Sequence, residues 1–404
     1  MSIETSCDET AVSIIEATGD QNAPAFTVLG NALYSQIELH KEFGGVFPAM
    51  ARREHARTLV PLFVAALKEA GLYKERESTY TIPPNIESSI RMTMEKEPVM
   101  AEAFLALISK LEKPAIDAIA VTQGPGLEPA LWVGITFAKA LNTLWGISVI
   151  PTNHMEGHIV SVLTEGKNGL KSIQFPAIAL LISGGHTELV CVKGWGEYEV
   201  VGSTRDDAVG EAFDKVARML GLPYPGGPEI SKLAHEERTA FPISRLPELI
   251  PQTIEESPYG AMITKLPRPM IHSADLDFSF SGIKTSVLYM IKKLPELTPD
   301  LKKAIAREFE DAVSEVLTGK TRRAVEQYGA ETIIVGGGVS ANTLICDSIK
   351  NLQKEFEGLE VRVPTRNLST DNAVMIAIAG FMRILRGNEH SVDFRAKGTM
   401  GIKE

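Results

Sequence analysis

The strongest constraint on the fold is a local pattern that occurs twice in the chain. A short apolar strand, a polar or glycine-containing turn and a second strand follow one another at 2–15 and again at 177–192. Further along each half, buried strands alternate with helices of about 10 to 15 residues, which is typical of α/β domains with a central mixed sheet. The sequence therefore predicts a duplicated α/β domain with a cleft between its halves.

The chain of 404 residues is long enough for two or three domains, because one domain holds roughly 150 residues. We predict an N-terminal domain at 1–160 and a C-terminal domain at 161–372. The last helix, within 373–404, is expected to pack back on the first domain. Two segments without a steady period, at about 73–113 and about 236–264, are predicted insertions.

Charge and cysteine content exclude several classes of protein. A net charge of -10 offers no field that favours nucleic acid over the whole molecule, so RNA contacts must use local basic patches or a helper protein. Three cysteines are too few for a disulfide framework or a four-cysteine zinc cluster, which favours a reducing compartment. The longest apolar stretches fall short of the roughly 18 residues that span a bilayer, and no targeting signal is recognisable. We expect a cytoplasmic protein.

The sharpest candidate site is a pair of histidines one helical turn apart. His154 and His158 lie at i and i+4, so both imidazoles project from one face of a helix and can reach one metal ion. A chance pair on a buried face is the alternative. Glu156 is out of phase for the zinc-protease motifs, and with Asn153 it has the form of a capping box. Asp371, at the start of the last long helix, is the candidate third ligand, with a plain helix N-cap as its alternative.

Glycine turns and basic residues supply further candidates. The turn at 183–186 joins two predicted strands, where N–H groups can bind a phosphate, although a tight hairpin without ligand explains it equally well. The turn at 336–341 formally matches G-x-G-x-x-A, but no acidic residue follows the next strand, so we assign it to a nucleotide in another fold. Arg52, Arg53 and Arg57 begin a predicted helix and are candidate RNA contacts; a solvated helix face is the commoner explanation.

Taken together, the ordered motifs resemble the family of threonylcarbamoyltransferases that make N6-threonylcarbamoyladenosine (t6A) at position 37 of transfer RNA. The segments that carry the resemblance are 3–10, 44–48, 124–127, 153–158, 183–187, 210–215, 224–228, 278–285, 337–342 and 369–372, together with Arg53 and His55. The opening at 4–10 favours the bacterial branch of that family.

The resemblance implies a fold, an activity and a set of site residues. The fold is the actin-like, sugar-kinase-like (ASKHA) ATPase fold, with two duplicated ribonuclease H-like domains around a nucleotide cleft. The activity is transfer of the threonylcarbamoyl group from threonylcarbamoyl-AMP to N6 of adenosine 37 in transfer RNAs that read ANN codons. His154, His158 and Asp371 would hold one divalent metal ion, Fe²⁺ rather than Zn²⁺. The implied contacts of the adenylate are Leu181, Ile182, Ser183, Gly184, Gly185, Asp214, Gly227 and Asn342.

The resemblance also implies partners and raises two further expectations. The partners are transfer RNA, a paralogous protein of the same fold, a small P-loop ATPase and a separate enzyme that synthesises threonylcarbamoyl-AMP. Our own hypothesis is that Asp8 or Glu9, in the first turn, accepts the proton of the attacking amine. A first strand that begins at Met1 is shorter than in the family, which should weaken the edge of the first domain.

Three other functions remain open at this point. A metalloendopeptidase is supported only by the two-histidine helix. An ATPase or small-molecule kinase of the same fold needs a carboxylate base near the γ-phosphate but no two-histidine site. A non-catalytic scaffold would tolerate the loss of His154 or Asp371 without a phenotype.

Overall fold

The computed structural model describes residues 1–164, 173–242, 244, 265–365, 368–387 and 393–404. The chain divides into two compact units, of which unit 1 comprises Met1–Ser172 with Thr370–Glu404 and unit 2 comprises Ile173–Ser369. Unit 1 therefore contains both ends of the chain.

Strands and helices alternate through both units. The strands are β1 (Ser2–Glu4), β2 (Glu9–Thr18), β3 (Ala25–Ser35), β4 (Ala118–Gly124), β5 (Ser148–Asn153), β6 (Ala177–Ile182), β7 (Thr187–Gly194), β8 (Glu197–Ser203), β9 (Thr332–Gly336) and β10 (Glu360–Arg362). The α-helices are α1 (Ile37–Lys41), α2 (Pro48–Glu69), α3 (Pro84–Thr93), α4 (Pro98–Ile108), α5 (Glu128–Trp145), α6 (His154–Val160), α7 (Val209–Met219), α8 (Gly226–Ala240), α9 (Ser281–Lys293), α10 (Pro299–Tyr328), α11 (Thr343–Lys350) and α12 (Ala373–Leu385). Short 3₁₀ helices cover Ser161–Thr164, Gly338–Ala341 and Asn351–Lys354.

The two sheets have the same topology. In unit 1 the strand order is β3-β2-β1-β4-β5, and in unit 2 it is β8-β7-β6-β9-β10. In each sheet the first three strands in sequence pair antiparallel, and the remaining two extend the sheet parallel to its central strand. This repeat confirms the predicted duplication of an α/β domain.

The first strand lies in the centre of its sheet. Ile3 of β1 pairs antiparallel with Val12 of β2 on one side and parallel with Val121 of β4 on the other. All three residues of β1 are buried. The expectation that a short first strand weakens an edge of the domain was therefore wrong, because the edge strands of unit 1 are β3 and β5.

Helices cover both faces of the unit 1 sheet. Ile119 and Val121 of β4 pack into the apolar cluster that α2 to α5 form, whereas Ala120 packs against Met375 and Ile376 of α12. Successive strand side chains point to opposite faces of a sheet, so α12 lies on the face opposite to α2 and α5. This packing anchors the start of α12 in unit 1, close to the central strands.

Part of the segment predicted as the first insertion contributes to this core. Ile90, Met94, Met100 and Phe104 of the 73–113 segment are fully buried. The Phe104 ring also lies edge-to-face against Phe137 of α5, with 5.5 Å between the ring centroids. Such aromatic contacts favour edge-to-face geometry. Helices α3 and α4 are therefore integral to the packing of unit 1.

Unit 2 has its own core, in which α7 and α10 pack together. Phe213 of α7 contacts Phe309 of α10 with their ring centroids 5.0 Å apart. Of the second predicted insertion, 236–240 forms the end of α8, while residues 243 and 245–264 lie outside the described residues. Within the part of the chain that the structure describes, none of the helices has the length and apolar character needed to cross a bilayer.

Candidate functional site

Helix α6 owes its position to a capping residue. Strand β5 ends at Asn153, whose side-chain oxygen accepts the N–H groups of Met155 at 2.9 Å and Glu156 at 3.2 Å. Its amide nitrogen donates to the carbonyl of Gly401 at 3.0 Å, which ties the cap to the C-terminal segment. An Asx cap of this kind satisfies N–H groups that the first helical turn leaves unpaired. The helix therefore begins at His154, as the motif predicted.

Glu156 does not share the face of the two histidines. The buried carboxylate of Glu156 lies 2.6 Å from Nη2 of Arg386 and 3.9 Å from Nη1 of Arg383. A general base of a zinc peptidase would have to point toward the metal instead. This pairing removes the support that the two-histidine helix offered to a peptidase.

The structure brings His154, His158 and Asp371 together. Oδ1 of Asp371 lies 3.3 Å from Nε2 of His154 and 3.2 Å from Nε2 of His158. One ligand atom from each residue lies within 4.8 Å of the other two. The N-cap of α12 is Asn372, whose side chain accepts the N–H of Met375 at 3.0 Å. Asp371 is therefore not the helix cap, and its carboxylate is available to the histidines.

The donor set fits a divalent transition metal. His158 is fully buried, and neither of its ring nitrogens has a hydrogen-bond partner among the described residues. Its Nε2 approaches Asp371 without meeting hydrogen-bond geometry. Buried polar atoms are almost always paired, so an unpaired imidazole nitrogen beside a carboxylate indicates a missing ligand. Two imidazoles and one carboxylate are ligands that Fe²⁺ and Zn²⁺ share.

The charges at this site favour a cation. Burial opposes ionisation of Asp371, but His154 and His158 hold its pKa well below the usual range. Burial lowers the pKa of His158 below its ordinary value, so its imidazole is neutral at pH 7. For His154, burial lowers the pKa, but the carboxylates of Asp371 and Glu4 raise it by more than burial lowers it. The net pKa of His154 therefore lies above its ordinary value. A buried anion next to a neutral imidazole is a suitable environment for a metal ion.

Asp8 and Glu9, the predicted proton acceptors, lie in the same unit and interact with Asp371. Both side chains are buried, and their carboxyl groups share a hydrogen bond. Burial and the neighbouring carboxylate Asp371 raise the pKa of both groups, that of Glu9 most. Glu9 also accepts a hydrogen bond from the Ser35 hydroxyl at 3.1 Å. A carboxyl group with a raised pKa is suited to proton transfer near neutral pH.

The three candidate RNA-binding arginines differ in their surroundings. Nε of Arg52 lies 2.5 Å from Oε1 of Glu97, and its Nη2 donates to the carbonyl of Lys96 at 2.6 Å. Arg52 thus ties α2 to the start of α4. The side chains of Arg53 and Arg57 are 67% and 62% exposed and pair with Glu54. Contact of these arginines with RNA stays a prediction.

In unit 2, the candidate phosphate turn is a tight hairpin with an open outer side. The N–H of Ser183 donates to the carbonyl of His186 at 2.9 Å, and the N–H of His186 donates to the Ser183 hydroxyl at 3.1 Å. Leu181 and Ile182, at the end of β6, are fully buried. A Cβ atom added to either glycine of the turn would meet no atom within 4 Å. The geometry is therefore compatible with both a ligand loop and a plain hairpin.

Two other glycine-containing segments lie against the end of β6. Gly337 has a positive φ of 90°, and a Cβ there would lie 2.4 Å from the carbonyl oxygen of Ile182, so this close approach requires glycine. The N–H of Gly210, at the start of α7, donates to the carbonyl of Ser183 at 3.2 Å. The turn after β9 and the N-terminus of α7 therefore both adjoin the hairpin.

Asp214, Gly227 and Asn342 complete the predicted adenylate contacts. Oδ1 of Asp214 accepts the N–H of Gly226 at 2.7 Å, which ties α7 to the start of α8, and a Cβ on Gly227 would meet open space. Asn342 caps α11, and its amide nitrogen donates to Glu310 at 2.7 Å. The side chains of Asp214 and Asn342 thus hold the local fold, and their contact with a nucleotide stays a prediction.

Sequence reasoning missed Glu4. This carboxylate, at the end of β1, lies 3.1 Å from Nδ1 of His154 and has none of its surface exposed. A charged residue at the buried end of a short strand is the one signal in the sequence that points to it. The partner of Glu4 lies 150 residues further along the chain and is not recognisable from local spacing.

Comparison with known proteins identifies relatives of the whole chain. The sequence profile of the family described as tRNA N6-adenosine threonylcarbamoyltransferase matches residues 27–77 and 95–378. The match leaves out 78–94, inside the segment predicted as the first insertion. A protein from Polynucleobacter necessarius with the same description is 40% identical and aligns over 100% of this chain and 96% of its own length. One from Nitrosospira multiformis is 39% identical over 97% of this chain and 92% of its own length.

Similarity to solved structures is much lower. A ROK family glucokinase from Streptomyces griseus aligns with 93% of this chain and 100% of its own, with 12% identity and a TM-score of 0.34. That value is too low to support an inference about this chain.

Proposed function

The chain belongs to the tRNA N6-adenosine threonylcarbamoyltransferase family, and on this premise we propose that it transfers a threonylcarbamoyl group to N6 of adenosine in transfer RNA, forming t6A. The observation that carries the proposal is full-length similarity to relatives of that description, in a chain that retains the two-histidine helix. Family membership favours this transferase over the peptidase, kinase and scaffold alternatives.

The donor in this proposal is threonylcarbamoyl-AMP, and the acceptor is adenosine 37 of transfer RNAs that read ANN codons. The N6 amine attacks the carbamoyl carbon, the bond from that carbon to the phosphate oxygen breaks, and AMP leaves. Because the donor is already activated, the protein has to position two reactants and stabilise developing charge. In unit 2, the N–H groups of Gly184 and Gly185 in the hairpin and of Gly227 in the first turn of α8 are suited to an anionic phosphate, because these glycines face open space.

In unit 1, His154, His158 and Asp371 would hold one divalent metal ion. When bound, such an ion supplies Lewis-acid polarisation of an oxygen atom. Two histidines and one carboxylate with open positions are typical of non-haem Fe²⁺ sites, so we favour Fe²⁺ over Zn²⁺. Asp8 or Glu9 accepts the proton that the amine loses, a role that their buried position and raised pKa support.

The acidic chain needs help to hold transfer RNA. With a net charge of -10, repulsion from the phosphate backbone has to be offset by local basic residues or by other proteins. We propose as partners a paralogous protein of the same fold, a small P-loop ATPase and a separate enzyme that supplies threonylcarbamoyl-AMP. We propose the cytoplasm as the compartment of the reaction, because its acceptor is transfer RNA.

The test is mass spectrometry of nucleosides from a transfer RNA transcript that carries adenosine 37. The transcript is incubated with threonylcarbamoyl-AMP, the paralogous partner, the P-loop ATPase and one form of the chain: the wild type, His154→Ala or Asp371→Ala. We expect t6A with the wild type and with neither variant. Product from all three samples would reject the metal site, and no product from any sample, with bound metal intact, would reject the transferase activity.

A further inference from the structure

Glu4 is a carboxylate that the fold holds without water. None of its surface is exposed, and such a group must be satisfied by protein donors. Its Oε1 accepts the N–H of Ser6 at 2.5 Å, and its Oε2 accepts the hydroxyl of Thr122 at 2.6 Å. One donor follows β1 and the other lies on β4, the strand beside it. The carboxylate therefore keeps its orientation without any contribution from a histidine.

The remaining contact of this carboxylate fixes the orientation of the His154 ring. Oε2 of Glu4 lies 3.1 Å from Nδ1 of His154, and the Ser6 hydroxyl lies 3.3 Å from the same nitrogen. Nε2, the other ring nitrogen, faces Asp371 at 3.3 Å. With Nδ1 held by Glu4, the ring presents Nε2 to the position that a shared metal ion would take.

The second histidine has no comparable partner. Neither ring nitrogen of His158 has a hydrogen-bond partner among the described residues, although the residue is as deeply buried. Its ring orientation depends on packing and on the approach of Nε2 to Asp371, at 3.2 Å. The two candidate ligands are therefore unequal, and one of them depends on a specific carboxylate.

We propose that Glu4 is the positioning residue of the metal centre, which orients the His154 ring so that Nε2 is presented to the metal. This inference rests on the metal site of the proposed function. Hydrogen-bond partners of metal-ligating histidines typically change metal affinity by about 10- to 100-fold when they are removed. A Glu4 that only stabilises the buried interior would change the stability of the protein and leave metal affinity as it is.

The first test measures the affinity of the full-length protein for Zn²⁺, used as the probe, by competition with a chromophoric chelator. We expect Glu4→Gln to bind Zn²⁺ about 10- to 100-fold more weakly than the wild type. Glu156→Gln is the matched control, because it also neutralises a buried carboxylate, which lies on α6 itself and faces Arg386. We expect the control to keep wild-type affinity. Equal affinities of Glu4→Gln and the wild type would overturn the inference.

The second test uses Thr122→Val, which removes one donor to the Glu4 carboxylate without touching a candidate metal ligand. We expect this variant to bind Zn²⁺ more weakly than the wild type in the same competition assay, by a smaller factor than Glu4→Gln. It also serves if Glu4→Gln does not fold. Wild-type Zn²⁺ affinity in a folded Thr122→Val, with Glu4→Gln unfolded, would overturn the inference.

His154→Ala also separates failure of the inference from failure of the metal site. If His154→Ala loses Zn²⁺ binding while Glu4→Gln and Thr122→Val keep it, only the role of Glu4 is wrong. If the wild type and His154→Ala bind Zn²⁺ equally, the metal centre itself is wrong and the inference falls with it. Nucleoside analysis of transfer RNA would then still decide the transferase activity independently.

Discussion

The two units share one sheet topology and place different chemistry at the same turn. In unit 1 the turn after the central strand, at 5–8, has backbone carbonyls that are hydrogen-bonded to other elements. The carbonyl of Ser6 accepts the N–H of Leu127 at 2.7 Å, and the carbonyl of Cys7 lies 3.0 Å from Nε2 of His55. In unit 2 the equivalent turn, at 183–186, exposes Gly184 and Gly185 to open space. One topology thus supports a buried turn with paired polar groups in unit 1 and an exposed glycine turn in unit 2.

The difference follows from the residues in the turns. Thr5, Ser6 and Asp8 in the first turn are buried, and buried polar groups must be paired, which makes the turn rigid. Glycines in the second turn leave N–H groups accessible to a ligand. We therefore expect changes in unit 1 to affect metal and proton chemistry, and changes in unit 2 to affect nucleotide binding.

The largest effect is expected from Asp371→Asn. The substitution keeps the size of the side chain but removes the charge that lies near both histidines. We expect the rate of t6A formation to fall by at least about 100-fold, because the variant would lose the metal ion, and a Lewis-acid metal supplies several kcal/mol of transition-state stabilisation. Single-turnover assays measure this rate, and equilibrium binding of AMP should stay within about twofold of the wild type. A parallel loss of AMP binding would show that the two units do not divide the chemistry as proposed.

The next largest effect is a dependence of folding stability on pH, which originates at His55 in unit 1. Burial lowers the pKa of His55 to about 4, so the folded protein keeps this imidazole neutral where the unfolded chain, with a histidine pKa near 6.5, binds a proton. The contribution of His55 to stability is therefore complete above pH 6.5 and is lost as the pH falls toward 4. The loss is about 3 kcal/mol. Urea unfolding from pH 7.5 to 4 measures it, and His55→Gln should lack this part of the slope. An identical slope in the variant would contradict a neutral His55.

A backbone substitution should separate two neighbouring glycines of unit 2. At Gly337 a Cβ would meet the Ile182 carbonyl oxygen at 2.4 Å and φ is 90°, whereas at Gly338 nothing lies within 4 Å. We expect Gly337→Ala to destabilise the protein by about 2 kcal/mol or more, since strain at a positive φ and overlap add. Gly338→Ala is the control and should stay within about 0.5 kcal/mol. Thermal unfolding compares the two, and similar melting temperatures would refute the close approach.

The smallest effects concern the arginines of α2. Arg52→Ala breaks the contacts with Glu97 and Lys96, and we expect a loss of about 1 kcal/mol in stability. The double variant Arg53→Ala with Arg57→Ala leaves stability nearly unchanged, because both side chains are exposed. If Arg53 and Arg57 contact transfer RNA, the double variant binds transfer RNA more weakly than the wild type. The slope of its binding constant against salt concentration also falls, by about one phosphate contact per arginine. Filter binding at several salt concentrations measures this, and an unchanged salt slope would exclude the RNA role.

Sequence patterns predicted the central elements of both sheets better than the edges. The buried runs at β4, β6 and β9 are visible because their residues are continuously apolar. The edge strands β3 and β8 were missed. Both mix exposed and buried positions without a clean alternation, so hydrophobic periodicity does not mark them. The other two edge strands, β5 and β10, were predicted as short apolar runs, so prediction from one sequence fails here at the antiparallel edge strands of mixed exposure.

At the candidate site, local spacing determined the histidines and left the carboxylates undecided. The i and i+4 spacing of His154 and His158 follows from the helical repeat alone. Whether Asp371 or Asn372 caps α12 depends on a shift of one residue, which spacing does not resolve. The structure resolves it, because the side chain of Asn372 takes the capping hydrogen bond and leaves Asp371 to the histidines.

The sequence by itself therefore determined the features that short-range geometry controls: the duplicated strand–turn–strand units, the helix that carries both histidines, and the glycines of the hairpin. Tertiary structure alone decided that Glu4, Thr122 and His154 form one hydrogen-bonded group. These residues meet because β1 lies beside β4, and β4 beside β5, which leads into α6. The order of strands in a sheet depends on pairing between distant segments, and residues 118 and 150 positions from Glu4 carry no local trace of that order.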